Sequence, residues 1–263
     1  FSYADYVEPV YSDGIVSGTT GDDTINSSYT GDPESDMVDG GTPTHLYLDW
    51  SAAGADEANI AAGFTQDTGG INVAVSFSND GSASQFSVES TDTTYVASGE
   101  IFDPNSSLHL RGTGGTVDTS TTTIDFSAAS GSGFENEVEN VSFRVNDVDV
   151  GSFIDVVTIR AYDADGNLIT VDITVSGNDT LSGDTVSGAG GTNDSESSAN
   201  GSFLVNITGP VSYIEIDYDN GGTGTQYLWV SDVHFDAIPT NIYDDVVEAG
   251  DGNDTVDAGL GDD

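Results

Sequence analysis

The run Leu168-Ile-Thr-Val-Asp-Ile-Thr-Val175 places an apolar residue at every second position from Ile169 onward. It follows Asp163-Ala-Asp-Gly-Asn167, a segment made of residues typical of tight turns. Before that turn, Val157-Thr-Ile-Arg-Ala-Tyr162 alternates in the same way. Alternation on both sides of a turn predicts a β-hairpin with one face of each strand buried.

The same alternation recurs outward from this hairpin, and strong helix formers are scarce. The further alternating runs are 46–50, 71–77, 142–145, 203–207, 214–218 and 227–235. Many short strands separated by turns predict an all-β fold, a β-sandwich of jelly-roll type. Composition shifts near residues 42–43 and 239, so we expect a sandwich over 44–239 with flanking segments 1–43 and 240–263. Residues 176–201, rich in Gly, Ser, Asp and Asn, predict a long exposed loop.

The end of the chain carries a nine-residue spacing of the form x-G-x-G-x-D-x-U-x, where U is aliphatic. The matching positions are Asp245, Val247, Gly250, Gly252, Asp254, Val256, Gly259, Gly261 and Asp263. This resembles the calcium-binding nonapeptide of RTX proteins, which forms a parallel β-roll. The resemblance implies calcium bound by carbonyl oxygens at these glycines and by the aspartates. A flexible acidic linker is the alternative reading.

A related stretch lies near the start. Gly18, Gly21, Asp23 and Ile25 follow the same pattern, but Asp36 comes thirteen residues after Asp23 instead of nine. An irregular pair of turns is expected here, with calcium binding left open. The chain begins without an initiator Met and stops in mid-repeat, so we expect it to be a fragment of a longer protein.

Charge restricts the partners of this protein. Acidic residues number 46 against three Arg and no Lys, which gives a formal charge of −43. Nucleic acid and anionic membranes are therefore poor partners, and no apolar run is long enough for membrane insertion. Divalent cations or a saline medium would relieve the self-repulsion. Cysteine is absent, so calcium would take the place of disulfides in a secreted protein.

The second half of the sandwich carries a second resemblance. Its segments are 137–149, 155–167, 209–218 and 229–235. They are similar to a lectin-like jelly-roll module of the kind found beside RTX repeats in secreted proteins of marine alphaproteobacteria. Together the two resemblances imply an extracellular or cell-surface protein exported by type I secretion.

Catalytic signatures are missing from the sequence. His45, His109 and His234 are isolated, and neither a zinc-protease motif nor a phosphate-binding loop occurs. Paired carboxylates are uninformative in a chain with 46 of them. We therefore expect a non-catalytic protein.

Calcium is also expected inside the sandwich. Asp147 and Asp149 follow one predicted strand, Asp155 begins the next, and Asp232 lies in the last strand. If these acids converge, they need a cation. Asp147, Asp149 and Asp232 are the predicted ligands. The spacing of Asp163, Asp165 and Asn167 fits either a calcium loop or a plain hairpin turn.

Sugar binding needs aromatic platforms and polar groups that hold hydroxyls. The candidate aromatic residues are Trp50, Tyr213, Tyr218, Tyr227 and Trp229. In the predicted strand 227–235, Tyr227, Trp229, Val233 and Phe235 fall on one face by period two, so Trp229 is expected in the core. The loop 219–226 is rich in short polar side chains, and Asp219, Asn220 and Gln226 are its predicted ligand-binding residues.

The sequence therefore predicts a non-catalytic, calcium-dependent extracellular module for glycan binding or adhesion. One alternative is a subunit of a fibre, surface layer or matrix that self-associates through calcium. Another is an accessory domain of a secreted polysaccharide-active enzyme. Calcium is the expected cofactor and an extracellular polysaccharide the expected partner.

Overall fold

A computed structural model describes residues 15–26, 28–33, 44–79, 85–112, 119–190, 193–240 and 246–257. Contacts divide the chain into two compact units. One comprises Thr44–Ile238, and the other combines Phe1–Pro43 with Pro239–Asp263. None of the described helices is long and apolar enough to cross a membrane.

The larger unit is an all-β sandwich, as the sequence predicts, and its described residues form two antiparallel sheets of eight strands each. The first sheet contains β4 (Phe64–Asp67), β5 (Ile71–Asn79), β8 (Thr119–Ala128), β10 (Asp155–Tyr162), β11 (Leu168–Ile169), β13 (Thr180–Ser182), β14 (Thr185–Ser187) and β16 (Tyr213–Asn220). Its strand order is β13-β14-β10-β16-β8-β5-β4, with β11 paired to β10.

The second sheet contains β3 (Thr44–Leu48), β6 (Gln85–Glu89), β7 (Ser107–Gly112), β9 (Phe134–Asn146), β12 (Asp172–Val175), β15 (Ser202–Ile207), β17 (Gln226–Ser231) and β18 (Val233–Pro239). Its order is β12-β15-β9-β17-β7-β6, with β18 paired to both β9 and β3. A short 3₁₀ helix, Trp50–Ala53, follows β3.

Period-two alternation builds the core between the two sheets. In β10 the buried residues Val157, Ile159 and Ala161 alternate with half-buried polar ones. In β9 and β15, Phe143 and Phe203 point to the same core. Burying a side chain of this size contributes about 1.5–3 kcal/mol, so the alternating pattern supplies the main driving force for the fold.

The hairpin predicted over residues 157–175 has an unexpected second strand. The turn forms as predicted, with Asp163 N donating to Asn167 O, and β11 pairs antiparallel with β10. The run 168–175 is not one strand, however. It leaves the first sheet after Ile169 and continues as β12 in the second sheet, where Ile173 pairs with Val205. Strands that change sheet at a bend close the corner of a sandwich.

The segment 176–201, predicted to be a long exposed loop, is largely exposed but contains two strands. Strands β13 and β14 form a hairpin within it, and Val157 of β10 pairs with Val186 of β14. Val186 is fully buried, which explains why this Gly- and Ser-rich segment stays attached to the sheet edge.

The smaller unit joins the two ends of the chain. Strand β1 (Ile15–Ser17) pairs parallel with β19 (Val246–Glu248), and β2 (Thr24–Ile25) pairs parallel with β20 (Thr255–Val256). Val16 and Ile25 are buried together with Tyr29 in a small separate core. The two parallel ladders lie nine residues apart on each segment.

Candidate functional site

The outer face of the second sheet concentrates aromatic and polar side chains. In β7 and β17, Leu108, Leu110, Leu228 and Val230 point into the core, so the alternate residues point outward. We call the outward set the aromatic face. It consists of Ser87, Ser107, His109, Arg111, Asn146, Tyr227 and Trp229.

Cross-strand register places four of these residues in one row. Ser87 of β6 pairs with His109, His109 with Trp229, and Trp229 with Asn146 of β9. The His109 and Trp229 rings stack at 4.6 Å and 8°, and the Tyr227 ring lies 5.0 Å from His109. Neighbouring strands lie about 5 Å apart, so the row forms one continuous stack of rings and short polar side chains.

Polar atoms on the aromatic face lack hydrogen-bond partners among the described residues. They are Ser87 Oγ, Ser107 Oγ, His109 Nδ1 and Nε2, Arg111 Nε, Asn146 Nδ2 and Oδ1, and Trp229 Nε1. Each buried group left without a partner costs about 1–3 kcal/mol. Native proteins leave few such groups, so a concentration on one face indicates a surface that a ligand or ordered water completes.

The Tyr227 side chain opens the aromatic face to solvent. Tyr227 is 36% exposed, whereas Trp229 is only 7% exposed. The guanidinium of Arg111 lies 5.8 Å from the centre of the Tyr227 ring. The Tyr227 ring is therefore available for stacking, with a cationic donor beside it and the Trp229 ring 6.1 Å away.

The prediction that Tyr227, Trp229, Val233 and Phe235 share one core face was wrong. The strand ends at Ser231, and β18 begins at Val233. Asp232 interrupts the alternation between them. Val233 and Phe235 enter the core, whereas Tyr227 and Trp229 lie on the opposite face.

A second group, which we call the acidic cluster, lies where β9, β10 and β17 begin or end. It consists of Asp147, Asp149, Asp155, Asp179 and Asp194. Asp149 and Asp155 are fully buried, and Asp147 is 7% exposed. Gln226 Nε2 donates to Asp149 Oδ1 at 2.8 Å and to Asp155 Oδ2 at 3.0 Å, so the amide bridges two carboxylates.

Segments from the β13–β14 region complete the acidic cluster. Asp194 N donates to Asp149 Oδ2 at 2.6 Å, and Ala189 N donates to Asp179 Oδ1 at 3.0 Å. One buried oxygen on each of Asp147, Asp179 and Asp194 has no hydrogen-bond partner among the described residues. These oxygens are buried acceptors without a donor, but no three carboxylates of the acidic cluster bring ligand oxygens within 4.8 Å of one another among the described residues.

Burial is the main cause of the raised pKa values in this cluster. It raises the pKa of Asp147 to about 8, helped by the charges of Asp149 and Asp155. It also raises the pKa of Asp155 to about 7 and that of Asp149 to about 6. The pKa of Asp179 rises to about 6, again first through burial and then through Asp194.

The arginines of the chain are engaged elsewhere. Arg144 binds Glu100, Arg160 binds Asp217, and Arg111 lies over Tyr227. Since the chain holds three Arg and no Lys, no basic side chain neutralises the acidic cluster. A divalent cation would do so, because calcium takes six to eight oxygen ligands from carboxylates and carbonyls.

The structure brings Asp147 and Asp149 together as predicted but does not bring Asp232 to them. Gln226 contacts the acidic cluster at the first residue of β17, and Asp232 follows the last. Six residues of strand separate them by about 20 Å. Asp232 instead accepts hydrogen bonds from His234 Nε2 and Asp103 N, and burial raises its pKa.

The histidines are less isolated than the sequence suggests. His234 Nδ1 lies 3.0 Å from His45 Nε2, and His45 Nδ1 lies 3.0 Å from Asp236 Oδ1. His109 lies in another group, where its nitrogen and the carboxylates of Glu57 and Glu89 fall within 4.8 Å of one another. Sequence spacing gave no signal for either group because each joins residues far apart in the sequence, His45 with His234 and Glu57 with His109.

In the predicted ligand-binding loop 219–226, the Asn220 side chain is hydrogen-bonded to the backbone of the same loop. Asn220 is fully buried, donates to Gly224 O at 2.9 Å and accepts from Gly222 N. Gln226 is 4% exposed and belongs to the acidic cluster. Asp219 pairs with Val156 of β10. A ligand role for Asp219, Asn220 and Gln226 stays a prediction.

The turn 163–167 forms a hairpin in which Asn167 Nδ2 donates to Asp163.

In the smaller unit, residues 15–26 and 246–257 lie side by side and are hydrogen-bonded to each other. Asp23 N donates to Asp254 Oδ1 at 3.0 Å across 231 positions, and Asn253 N donates to Asp22 Oδ1 across the same interval. A Cβ added at Gly18 would lie 2.1 Å from Ala249 O, and one at Gly252 would lie 2.6 Å from Gly21 O. These glycines permit the close approach of the two backbones.

The stacking places Asp23 beside Asp254, a pairing that spacing within either segment could not reveal. Gly21 and Gly250 lie in the same pair of loops. The predicted ligands Asp36, Asp245, Gly259, Gly261 and Asp263 lie outside the described residues. Calcium binding by the described set stays a prediction.

The chain matches no known protein-family profile and no curated protein sequence. Solved structures match it at low similarity. A mutant family 29 carbohydrate-binding module complexed with mannohexaose is 10% identical, with a TM-score of 0.34 over 74% of this chain and 93% of that one. A family 11 carbohydrate-binding module from Clostridium thermocellum is 9% identical, with a TM-score of 0.29 over 76% and 99%.

An enzymatically active domain of tailspike protein 4 from bacteriophage CBA120 is 12% identical, with a TM-score of 0.32. The match covers 62% of this chain and 19% of the tailspike domain. Similarity at this level identifies no function for the chain.

Proposed function

We propose that the sandwich is a non-catalytic carbohydrate-binding module whose fold is held by calcium. The observation that carries the glycan-binding part is the aromatic face. There, the exposed Tyr227 ring lies 5.0 Å from the His109 ring, next to a row of buried, unpartnered donors and acceptors that includes Trp229 Nε1 and both polar atoms of Asn146. An aromatic ring packs against the apolar face of a sugar, and the Arg111 guanidinium beside Tyr227 is the donor proposed to bind its hydroxyl groups.

Charge selects the class of glycan. The formal charge of −43 repels uronate and sulfate groups, and Arg111 is the cationic side chain on the aromatic face. A neutral polysaccharide avoids that repulsion, since its recognition depends on stacking and hydroxyl hydrogen bonds. We therefore propose neutral glycans as the ligands.

The test is affinity electrophoresis followed by calorimetry on neutral and acidic polysaccharides. Tyr227→Ala is expected to weaken binding to the best neutral glycan at least tenfold. The matched control is Tyr213→Ala, which removes half of the stacked Tyr162–Tyr213 pair on the other sheet. Unchanged affinity in Tyr227→Ala, or an equal loss in Tyr213→Ala, would refute the aromatic face as the binding surface.

The acidic cluster supports the calcium part of the proposal. Asp147, Asp149 and Asp155 are buried together without a basic partner, and a bound Ca²⁺ would supply the missing positive charge. Ligand linkage adds about 2.7 kcal/mol of stability per site at a hundredfold excess over the dissociation constant. Chelator should therefore lower the melting temperature, and magnesium should restore it poorly because of its stricter geometry.

We further propose that the smaller unit is a calcium-binding RTX-type roll and that the protein is extracellular. The support is the nine-residue interval between the two parallel ladders and the approach of Asp23 to Asp254. The absence of cysteine agrees with calcium as the stabilising agent. Calorimetry of Asp23→Asn in parallel with Asp147→Asn would separate the two kinds of site, since each variant should lose a different part of the bound calcium.

A further inference from the structure

Glu57 and Glu89 form a group with His109, a member of the aromatic face, and the calcium and glycan proposals do not use these two carboxylates. One ligand atom of each lies within 4.8 Å of the other two. Glu57 is held beside β6 by two backbone hydrogen bonds, Glu57 N to Val88 O and Val88 N to Ala58 O. His109 is on β7, opposite Ser87 of β6. These backbone hydrogen bonds bring the three side chains together at the β6 edge of the second sheet.

His109 gives the independent sign of a missing ligand. The residue is 9% exposed, and neither ring nitrogen has a hydrogen-bond partner among the described residues. A neutral imidazole has one donor and one acceptor, so both are buried unsatisfied. Stacking on Trp229 fixes the plane of the ring, and Nδ1 lies 3.9 Å from Glu57 Oε1. The ring edge is thus directed at the carboxylate without hydrogen bonding to it.

The two carboxylates of the group are also suited to a cation, Glu89 by its orientation and Glu57 by the repulsion around it. Glu89 is 2% exposed, and its Oε1 accepts from Thr91 N and Asp92 N, each at 2.8 Å. Such hydrogen bonds orient a ligating carboxylate. Burial raises the pKa of Glu57, and the charges of Glu89, Asp56 and Asp92 add to the effect. A bound cation would relieve this repulsion.

We propose that His109, Glu57 and Glu89 bind one divalent d-block metal ion of the zinc class, at a site separate from calcium. Calcium prefers oxygen donors throughout, whereas an imidazole nitrogen with two carboxylates suits Zn²⁺ and its neighbours. Three protein ligands leave a fourth position for water. The Glu57 side chain is 56% exposed, so the site is open on that side.

The test uses metal-stripped full chain with calcium held at saturation, titrated with Zn²⁺ by calorimetry. One Zn²⁺ is expected per chain, and Co²⁺ at the same site should give visible absorption bands. Co²⁺ should also quench Trp229 fluorescence, because His109 stacks on that ring. His109→Ala and Glu57→Gln should each weaken Zn²⁺ binding at least tenfold.

Glu57→Gln keeps the test decisive if His109→Ala does not fold, because Glu57 is half-exposed. His45→Ala is the matched control, since His45 lies in a different group of side chains. The proposal is overturned if no Zn²⁺ binds in saturating calcium, if Glu57→Gln binds as tightly as the parent, or if His45→Ala removes the site. Calcium and glycan binding are measured in separate experiments. If either of those proposals fails, the Zn²⁺ titration can still be interpreted.

Discussion

The Nε2 atom of His45 lies 3.0 Å from the Nδ1 atom of His234, although the two residues are 189 positions apart. Asp236 and Asp232 extend this contact at either end, at 3.0 and 2.7 Å. With both carboxylates ionised, all three hydrogen bonds require three ring protons on the two imidazoles. The four side chains form one hydrogen-bonded chain. It leads from buried Asp232 to His45, whose side chain is 48% exposed.

This arrangement predicts unequal effects of removing the two histidines. His234→Ala leaves the buried Asp232 carboxylate with Asp103 N as its remaining donor and should cost about 3 kcal/mol or more. His45→Ala removes one hydrogen bond near the surface and should cost about 1 kcal/mol. Urea unfolding measures both. Adding Asp232→Asn to His234→Ala should recover part of the loss; equal losses in the two single variants would contradict the chain described here.

A pH dependence follows from the acidic cluster. In chelator, the folded protein holds protons on Asp147, Asp155, Asp149 and Asp179 at pH values where the unfolded chain, with pKa values near 3.8, has released them. Because the folded state binds more protons, its stability should fall as pH rises from about 4 to about 8. Each extra bound proton contributes a slope of about 1.4 kcal/mol per pH unit.

Melting curves in chelator across this range measure the effect, and saturating calcium should flatten the slope because the cation replaces the protons. Asp147→Asn removes the carboxyl with the highest pKa of the four, so it should shrink the slope above pH 7 and weaken calcium binding. A stability that rises with pH in chelator would show that the cluster is not protonated in the folded protein.

Arg144 should be far less replaceable than Arg160. Arg144 is 4% exposed, donates to both oxygens of Glu100 and also reaches Ser202 Oγ at 2.9 Å. A lysine cannot reproduce this fork, so Arg144→Lys should cost about 1–3 kcal/mol. Arg160→Lys is the control: its side chain is 38% exposed, and its ion pair with Asp217 should be worth less than about 1 kcal/mol. Urea unfolding measures both losses of stability. A loss in Arg144→Lys no larger than that in Arg160→Lys would contradict the prediction.

Glycines in the smaller unit should differ in their tolerance of a methyl group. Gly18→Ala places Cβ 2.1 Å from Ala249 O, so β1 and β19 cannot keep their spacing. The amides of Thr255 and Asp257, which donate to Asp23 O and Ile25 O, should then lose protection from hydrogen exchange. Gly21→Ala is the control, since its nearest neighbour is Thr19 Oγ1 at 3.7 Å. Protection should persist there, and loss in both variants would argue against a backbone clash as the cause.

Local alternation predicts the strands well where one strand stays in one sheet. The runs 71–77 and 214–218 lie within β5 and β16 with the expected buried faces. Prediction failed where a single residue changes direction. At Asp232 the alternation shifts by one, which moved Trp229 from the predicted core to the outer face. No local signal distinguishes such a break from a continuous strand.

The acidic cluster was half predictable for a related reason. Asp147 and Asp149 are close in sequence, and their convergence with Asp155 follows from a short connection between two strands. Asp179 and Asp194 join only because the β13–β14 hairpin docks on β10, which is a tertiary event. His109 carried no motif, and its environment depends on a segment fifty residues earlier that pairs with β6.

The ladder between β1 and β19 also sets an order of events in time. Ribosomes add about 5–20 residues per second, so roughly 10–50 s separate the synthesis of Val16 from that of Val247. During that interval the first strand has no partner, and the last residue of Thr44–Ile238 is added before Val247. The sandwich can therefore finish folding before the unit encoded at both ends of the chain can begin to close.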